Sequence, residues 1–157
     1  MSSYVNFYLR VNDKFAPIGS YSRSTEMYKA VSSQLPYEKI RALTAGDLML
    51  YIRDLENAAD NVKIVCERDR SHISLIMNAE NTSLDEKLDT VGDIEENCRE
   101  CEDYISELMF AADTLRVFYN MIDEFKYYNE SGFTNDAEHY IYAGIEAYGN
   151  LESVVGE

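Results

Sequence analysis

The sequence predicts an α+β fold, predominantly helical, in which an N-terminal β-hairpin packs on a helical core. From that core a long antiparallel helical hairpin, coiled-coil-like, projects. Three observations carry this expectation. Residues 4–11 alternate in polarity with period two. Residues 47–79 and 84–128 hold apolar side chains at three- and four-residue spacing, far beyond an ordinary helix length. The 157 residues include only 2 Pro and 7 Gly, too few for a loop-rich fold. That length fits a single domain, 1–157. Its expected parts are 1–46, a β-hairpin with short helices; 47–128, the helical hairpin with its tip near 80–84; and 135–154, a C-terminal helix on the base.

Each element has a local reason. In residues 4–11, Val5, Phe7, Leu9 and Val11 point one way and Tyr4, Asn6, Tyr8 and Arg10 the other, which reads as a half-buried strand with the tyrosines on the polar face. Asn12-Asp13-Lys14 supplies turn residues, and 15–21 returns as a second strand. Pro17 lacks a donor for a ladder bond, which places that strand at a sheet edge. Ser24 is the expected N-cap of a short helix reaching about Leu35, and Pro36 ends it and opens a turn through Ala42. Thr44-Ala45-Gly46-Asp47 is a capping-box variant with Asp in place of the usual Glu.

The helix it opens runs to Ala79 along Leu48, Tyr51, Leu55, Ala58, Val62, Val65 and Ile76. Asp69 and His72 interrupt this seam for about two turns. Asn81-Thr82 breaks the pattern, and Ser83-Leu84-Asp85-Glu86 is a full S-x-x-E capping box before the longest run. From about Leu108 that run is apolar on two sides, so its second half is expected in the core. Gly92 is its one weak position, costing about 1 kcal/mol against Ala. Asn135 and Glu138 suggest a cap for the last helix, with Tyr140, Ile141, Gly144, Ile145, Tyr148 and Leu151 at helical spacing, ahead of a frayed tail. Helices of about 50 and 65 Å exceed the roughly 40 Å diameter of a compact chain of this size, so they must protrude.

Charge is the outstanding property. The chain carries 29 acidic against 14 basic residues, a net charge of −15. Residues 1–44 hold three acids and six bases and are therefore +3; the rest is −18. Residues 80–107 alone hold eleven acids against Lys87 and Arg99, a net −9. Such a chain is repelled by nucleic acid and by anionic lipid. No apolar run is long enough to span a membrane, and no basic n-region with an apolar h-region opens the sequence. Three cysteines, an odd number, suit a reducing compartment, so the cytoplasm is the expected location.

Motifs for chemistry are scarce. G-x-S-x-G, H-E-x-x-H, a Gly-rich phosphate loop, a dinucleotide fingerprint and a calcium loop are all missing. Asp69-x-x-His72 occurs once where a di-iron bundle needs two E-x-x-H pairs. His139, flanked by Glu138 and Tyr140, reads as a surface histidine. Cys98-x-x-Cys101 places two thiols on one helix face. If residue 79 faces 84, facing pairs sum to about 163 and Cys66 lies opposite residue 97, near both. Cys66, Cys98 and Cys101 are thus a candidate zinc set, one ligand short of a closed site. Their mid-helix place argues against a redox pair, and small apolar filling of the seam is the better account of them.

Asp85, Asp89, Asp93, Glu96, Glu100, Asp103 and Glu107 recur at three- and four-residue spacing and form one stripe about 33 Å long. The stripe either solvates an elongated protein or docks on a basic partner. Thirteen tyrosines and no tryptophan suit core margins and interfaces alike.

The expected function is therefore non-enzymatic and cofactor-free: an acidic inhibitor that occupies the nucleic-acid-binding surface of a basic partner protein, as phage counter-defence proteins do. That parallel rests on size and charge, not on a motif. Direct nucleic-acid or membrane binding is not expected. An assembly module that forms a homodimer through its helical hairpin is the alternative, and a Cys-based metal protein the third.

Overall fold

The computed structural model describes residues 3–11, 14–35, 40–130 and 137–146; of 11, 125–130, 137–140 and 146 it describes the backbone alone. The order of elements is β1 (Tyr4–Val11), β2 (Lys14–Ser22), α1 (Glu26–Ser32), β3 (Ile40–Leu43), α2 (Ala45–Ser71), α3 (Ile73–Met77), α4 (Leu84–Glu130) and β4 (Ala137–Glu146). The fold is α+β: a four-stranded antiparallel sheet, ordered β2-β1-β4-β3, lies against one end of an α2–α4 helical hairpin.

β1 and β2 pair as the alternation predicts, Tyr4 opposite Ser22 and Val11 opposite Lys14, with a bulge where Ile18 is passed over between Gly19 and Pro17. Pro17 does stand on an edge strand. The turn expected at Asn12-Asp13 lies outside the described residues.

The other half of the sheet corrects the sequence reading. The segment expected as a C-terminal helix over 135–154 is strand β4 from Ala137 to Glu146, and the rest of that span lies outside the described residues. β4 fills the centre of the sheet, with Val5 opposite Ile145 and Leu9 opposite Ile141 on one side, and Leu43 opposite Ile141 on the other. Ile141, Ala143 and Ile145 are all buried on the core face. β3 stands where a turn through Ala42 was expected; residues 36–39 are outside the description. Tyr8, expected on a polar face, is buried, because Phe15 and Tyr142 stack edge-on around it across β2, β1 and β4.

Thr25, one residue after the expected Ser24, caps α1 by accepting from Tyr28 N–H. The Thr44–Asp47 box forms in both directions, Thr44 Oγ1 accepting from Asp47 N–H at 3.1 Å and Asp47 Oδ2 from Thr44 N–H at 3.0 Å. The expected helix 47–79 is two: α2 ends at Ser71 and α3 begins at Ile73, the break falling on His72, inside the stretch where Asp69 and His72 interrupt the apolar seam. α4 is a single helix of 47 residues, about 70 Å long.

One apolar core joins these parts. Val5, Phe7, Leu43 and Ile141 come from the sheet, Met27 and Val31 from α1, Leu48, Ile52, Leu55 and Ala59 from α2, and Leu108, Ala112, Leu115, Phe118 and Ile122 from α4. The Phe7 and Phe118 rings, 5.0 Å apart, pin the sheet to α4. Between Asp60 and Glu107 only Cys66 and Cys98 are buried. The outer part of the hairpin is therefore held by one narrow seam and is exposed elsewhere.

Candidate functional site

All seven carboxylates of the stripe are exposed: Asp85, Asp89, Asp93, Glu96, Glu100, Asp103 and Glu107. They lie on one uninterrupted helix, so at 100° per residue they fall within an arc of about 80° and along about 33 Å of axis. Among the described residues none of them makes an ion pair. The ion pairs that do form use other acids: Glu26 with Lys29, Asp47 with Arg41, Glu102 with Arg70, and Glu56 with Arg116. Two of these, Arg70–Glu102 and Arg116–Glu56, clamp α2 to α4 on a flank of the hairpin. Lys87, inside the stripe's own sequence, turns back to donate to the Met77 carbonyl at 3.1 Å. Arg70, Arg116 and Lys87 are thus engaged with groups outside the stripe, whose seven carboxylates face water.

The three thiols do not converge. Cys66 and Cys98 meet across the seam, each Sγ donating to the other's backbone carbonyl, at 3.9 Å from Cys66 and 3.7 Å from Cys98. The expected register, Cys66 opposite about residue 97, is one residue from what is found. Contact with Cys98, and then burial, pushes the Cys66 thiol above its ordinary range. Cys101, one turn on, is half-buried and stays apart. Among the described residues no group of three or more His, Cys, Asp or Glu side chains is arranged to hold a metal. Of the candidate set Cys66, Cys98 and Cys101, the first two fill the seam as small buried groups.

Among the described residues, one groove lies at the base of the hairpin and another farther out along it. The first, of about 410 Å³, lies between the β2–α1 turn and α4, lined by Tyr21, Thr25, Glu26, Met27, Phe110 and Ala111 among others. Its Glu26 carboxylate, buried, accepts from Lys29 Nζ at 2.9 Å and from the Tyr104 hydroxyl at 3.4 Å. Glu26 in turn holds the Lys29 ammonium above its usual range, while burial and then Glu26 raise the Tyr104 hydroxyl. Sequence reasoning passed over this trio; the only signal was an acid in the first turn of a short helix, which the helix dipole already explains. The second groove, of about 360 Å³, is lined by Lys63, Cys66, Glu67, Arg70, Glu102, Ile105 and Ser106. Glu102 lies with Arg70 in it, and the Cys66 thiol is raised, so the described side chains there place no activated nucleophile beside a base.

Among the described residues no helix is long and apolar enough to cross a membrane. No protein-family model matches the chain, and neither does any curated protein or solved structure.

Proposed function

We propose that this chain is a non-enzymatic acidic binding protein whose α4 stripe occupies a basic, nucleic-acid-binding surface of a partner protein. One observation carries the reading: seven exposed carboxylates, free of ion pairs among the described residues, share one face of an uninterrupted 47-residue helix. Their spacing is about 5 Å of axis per charge, against about 3.4 Å per phosphate along one DNA strand. The stripe thus offers a groove built for phosphates a rigid rod of like sign at somewhat lower density. Because the charges are already fixed on a helix, docking orders little chain, and attraction between unlike surfaces speeds encounter.

The test is capture from the native cell, scored against salt. Partner held at low ionic strength and released near about 0.5 M NaCl is the expected result, since screening at that concentration shortens electrostatic reach to a few ångström. Reversing Asp89, Asp93, Glu96 and Glu100 to Lys abolishes capture on this reading. These side chains are exposed, so the variant keeps its fold. Undiminished capture by that variant overturns the proposal.

A further inference from the structure

The stripe does not end in polar surface. Leu75, Leu84 and Leu88 are 69%, 62% and 53% exposed, and Met77 is 37% exposed, all at the turn of the hairpin. Together they present apolar surface on the order of 400 Å², the size of the largest patch on a typical monomer. The turn that carries them is built rather than loose. Ser83 Oγ accepts from Glu86 N–H at 3.2 Å, and Lys87 Nζ reaches the Met77 carbonyl at 3.1 Å, tying α3 to the first turns of α4. Leu84 and Leu88 are one turn apart on α4, and Leu88 is three residues from Asp85, the first acid of the stripe.

Resting on the reading above, we infer that this tip is an apolar anchor for the same partner, so that the partner's basic groove terminates in an apolar pocket. Charge and area select this occupant over a second copy of the chain. Glu80, Asp85, Glu86 and Asp89 surround the tip, and its one cation, Lys87, is engaged, so two tips brought together would repel. Two such patches also bury only about 800 Å² in total, short of the roughly 1,000 Å² that a specific interface needs. A basic surface meets the acidic rim with opposite sign, and the stripe supplies the area that the tip lacks. The division of labour is then physical: carboxylates set the salt dependence and the encounter rate, and the leucines, insensitive to salt, slow dissociation.

Two synthetic helical peptides test this on the full chain. Both carry a lysine face of about 20 residues, roughly the length of the stripe; one ends in three leucines at helical spacing and the other in three serines. Their affinities are read by fluorescence anisotropy over a series of NaCl concentrations. Both should bind with the same salt slope, the leucine peptide about tenfold tighter. Leu75→Ser with Leu88→Ser should collapse that tenfold gap and leave the slope intact, as should Leu84→Ser in part. Both positions are mostly exposed, so the double variant is expected to fold, and its helical circular dichroism verifies this. Equal binding of the two peptides, or a gap that survives the substitutions, overturns the anchor while leaving the stripe standing. Failure of both peptides, or binding without a salt slope, overturns the stripe itself. A dimer in sedimentation that the Leu75→Ser, Leu88→Ser variant dissolves gives the tip to a second copy instead.

Discussion

Gly92 is the weakest residue of α4, and its replacement by Ala measures how much the outer hairpin relies on its own backbone. The position lies eight residues past Leu84, well inside the helix, where every N–H and C=O is paired along the axis. A methyl group there meets nothing within 4 Å, and the backbone is not in the left-handed region. Neither crowding nor strain offsets the gain, so Gly92→Ala should stabilise by the full propensity difference, about 1 kcal/mol, part of it through a less flexible unfolded chain. For a chain of this length that is a rise of about 2–4 °C in the thermal midpoint, if the hairpin melts with the sheet. Urea unfolding followed at 222 nm gives the global figure. Amide exchange over 84–105 gives the local one, and it should slow by about fivefold even if the arm opens on its own. A midpoint that falls, or exchange that quickens, would refute the reasoning, because it would mean that Gly92 has a packing role the structure does not contain.

Two further outcomes follow from groups already described. Burial holds the Tyr51 hydroxyl above its ordinary value. The folded state therefore keeps a proton that the unfolded state gives up above about pH 10, so this contribution is complete below that pH and is lost as pH rises through the folded value. Tyr51→Phe should flatten the fall in urea midpoint between about pH 9 and pH 11; an unchanged fall would show that Tyr51 does not carry it. Thiol labelling of the native chain should modify Cys101 first, with Cys66 and Cys98 reacting only on unfolding, since those two are buried and face each other. Rapid labelling of all three would refute the closed seam.

The parts of the fold that were legible in the sequence are those decided by neighbours in the chain. The β1 alternation, the edge position implied by Pro17, the Thr44–Asp47 box and the start of α4 after Ser83 all depend on residues within a few positions of each other. So does the stripe, whose face follows from helical geometry once α4 is unbroken. The segment around Ile141 and Ile145 was misread because a separation of four fits both a helix turn and two strand repeats. Tyr140-Ile141-Tyr142 is also a run of aromatic and β-branched residues that suits a strand, and Gly144 would weaken a helix. What decides between the two is the demand of β1 and β3 for a central partner, a long-range requirement that no window of sequence contains. The break at His72 was visible as a polar gap in the seam, but whether such a gap bends a helix or merely wets it depends on what packs against it.

The central place of β4 has a consequence for the order in which the molecule is made. Val5 pairs with Ile145, so β1 is about to wait for nearly the whole chain before its second edge is covered. At about 5–20 residues per second, synthesis leaves that edge open for roughly 7–28 s. During that interval the nascent chain presents an unpaired strand bearing Val5 and Phe7, the kind of edge that recruits stray strands. β2 and β3 cannot relieve it, since β2 already holds the other side and β3 reaches the sheet only through β4. The sheet closes last, and any product of translation halted before residue 137 carries the finished acidic arm on an unfinished base.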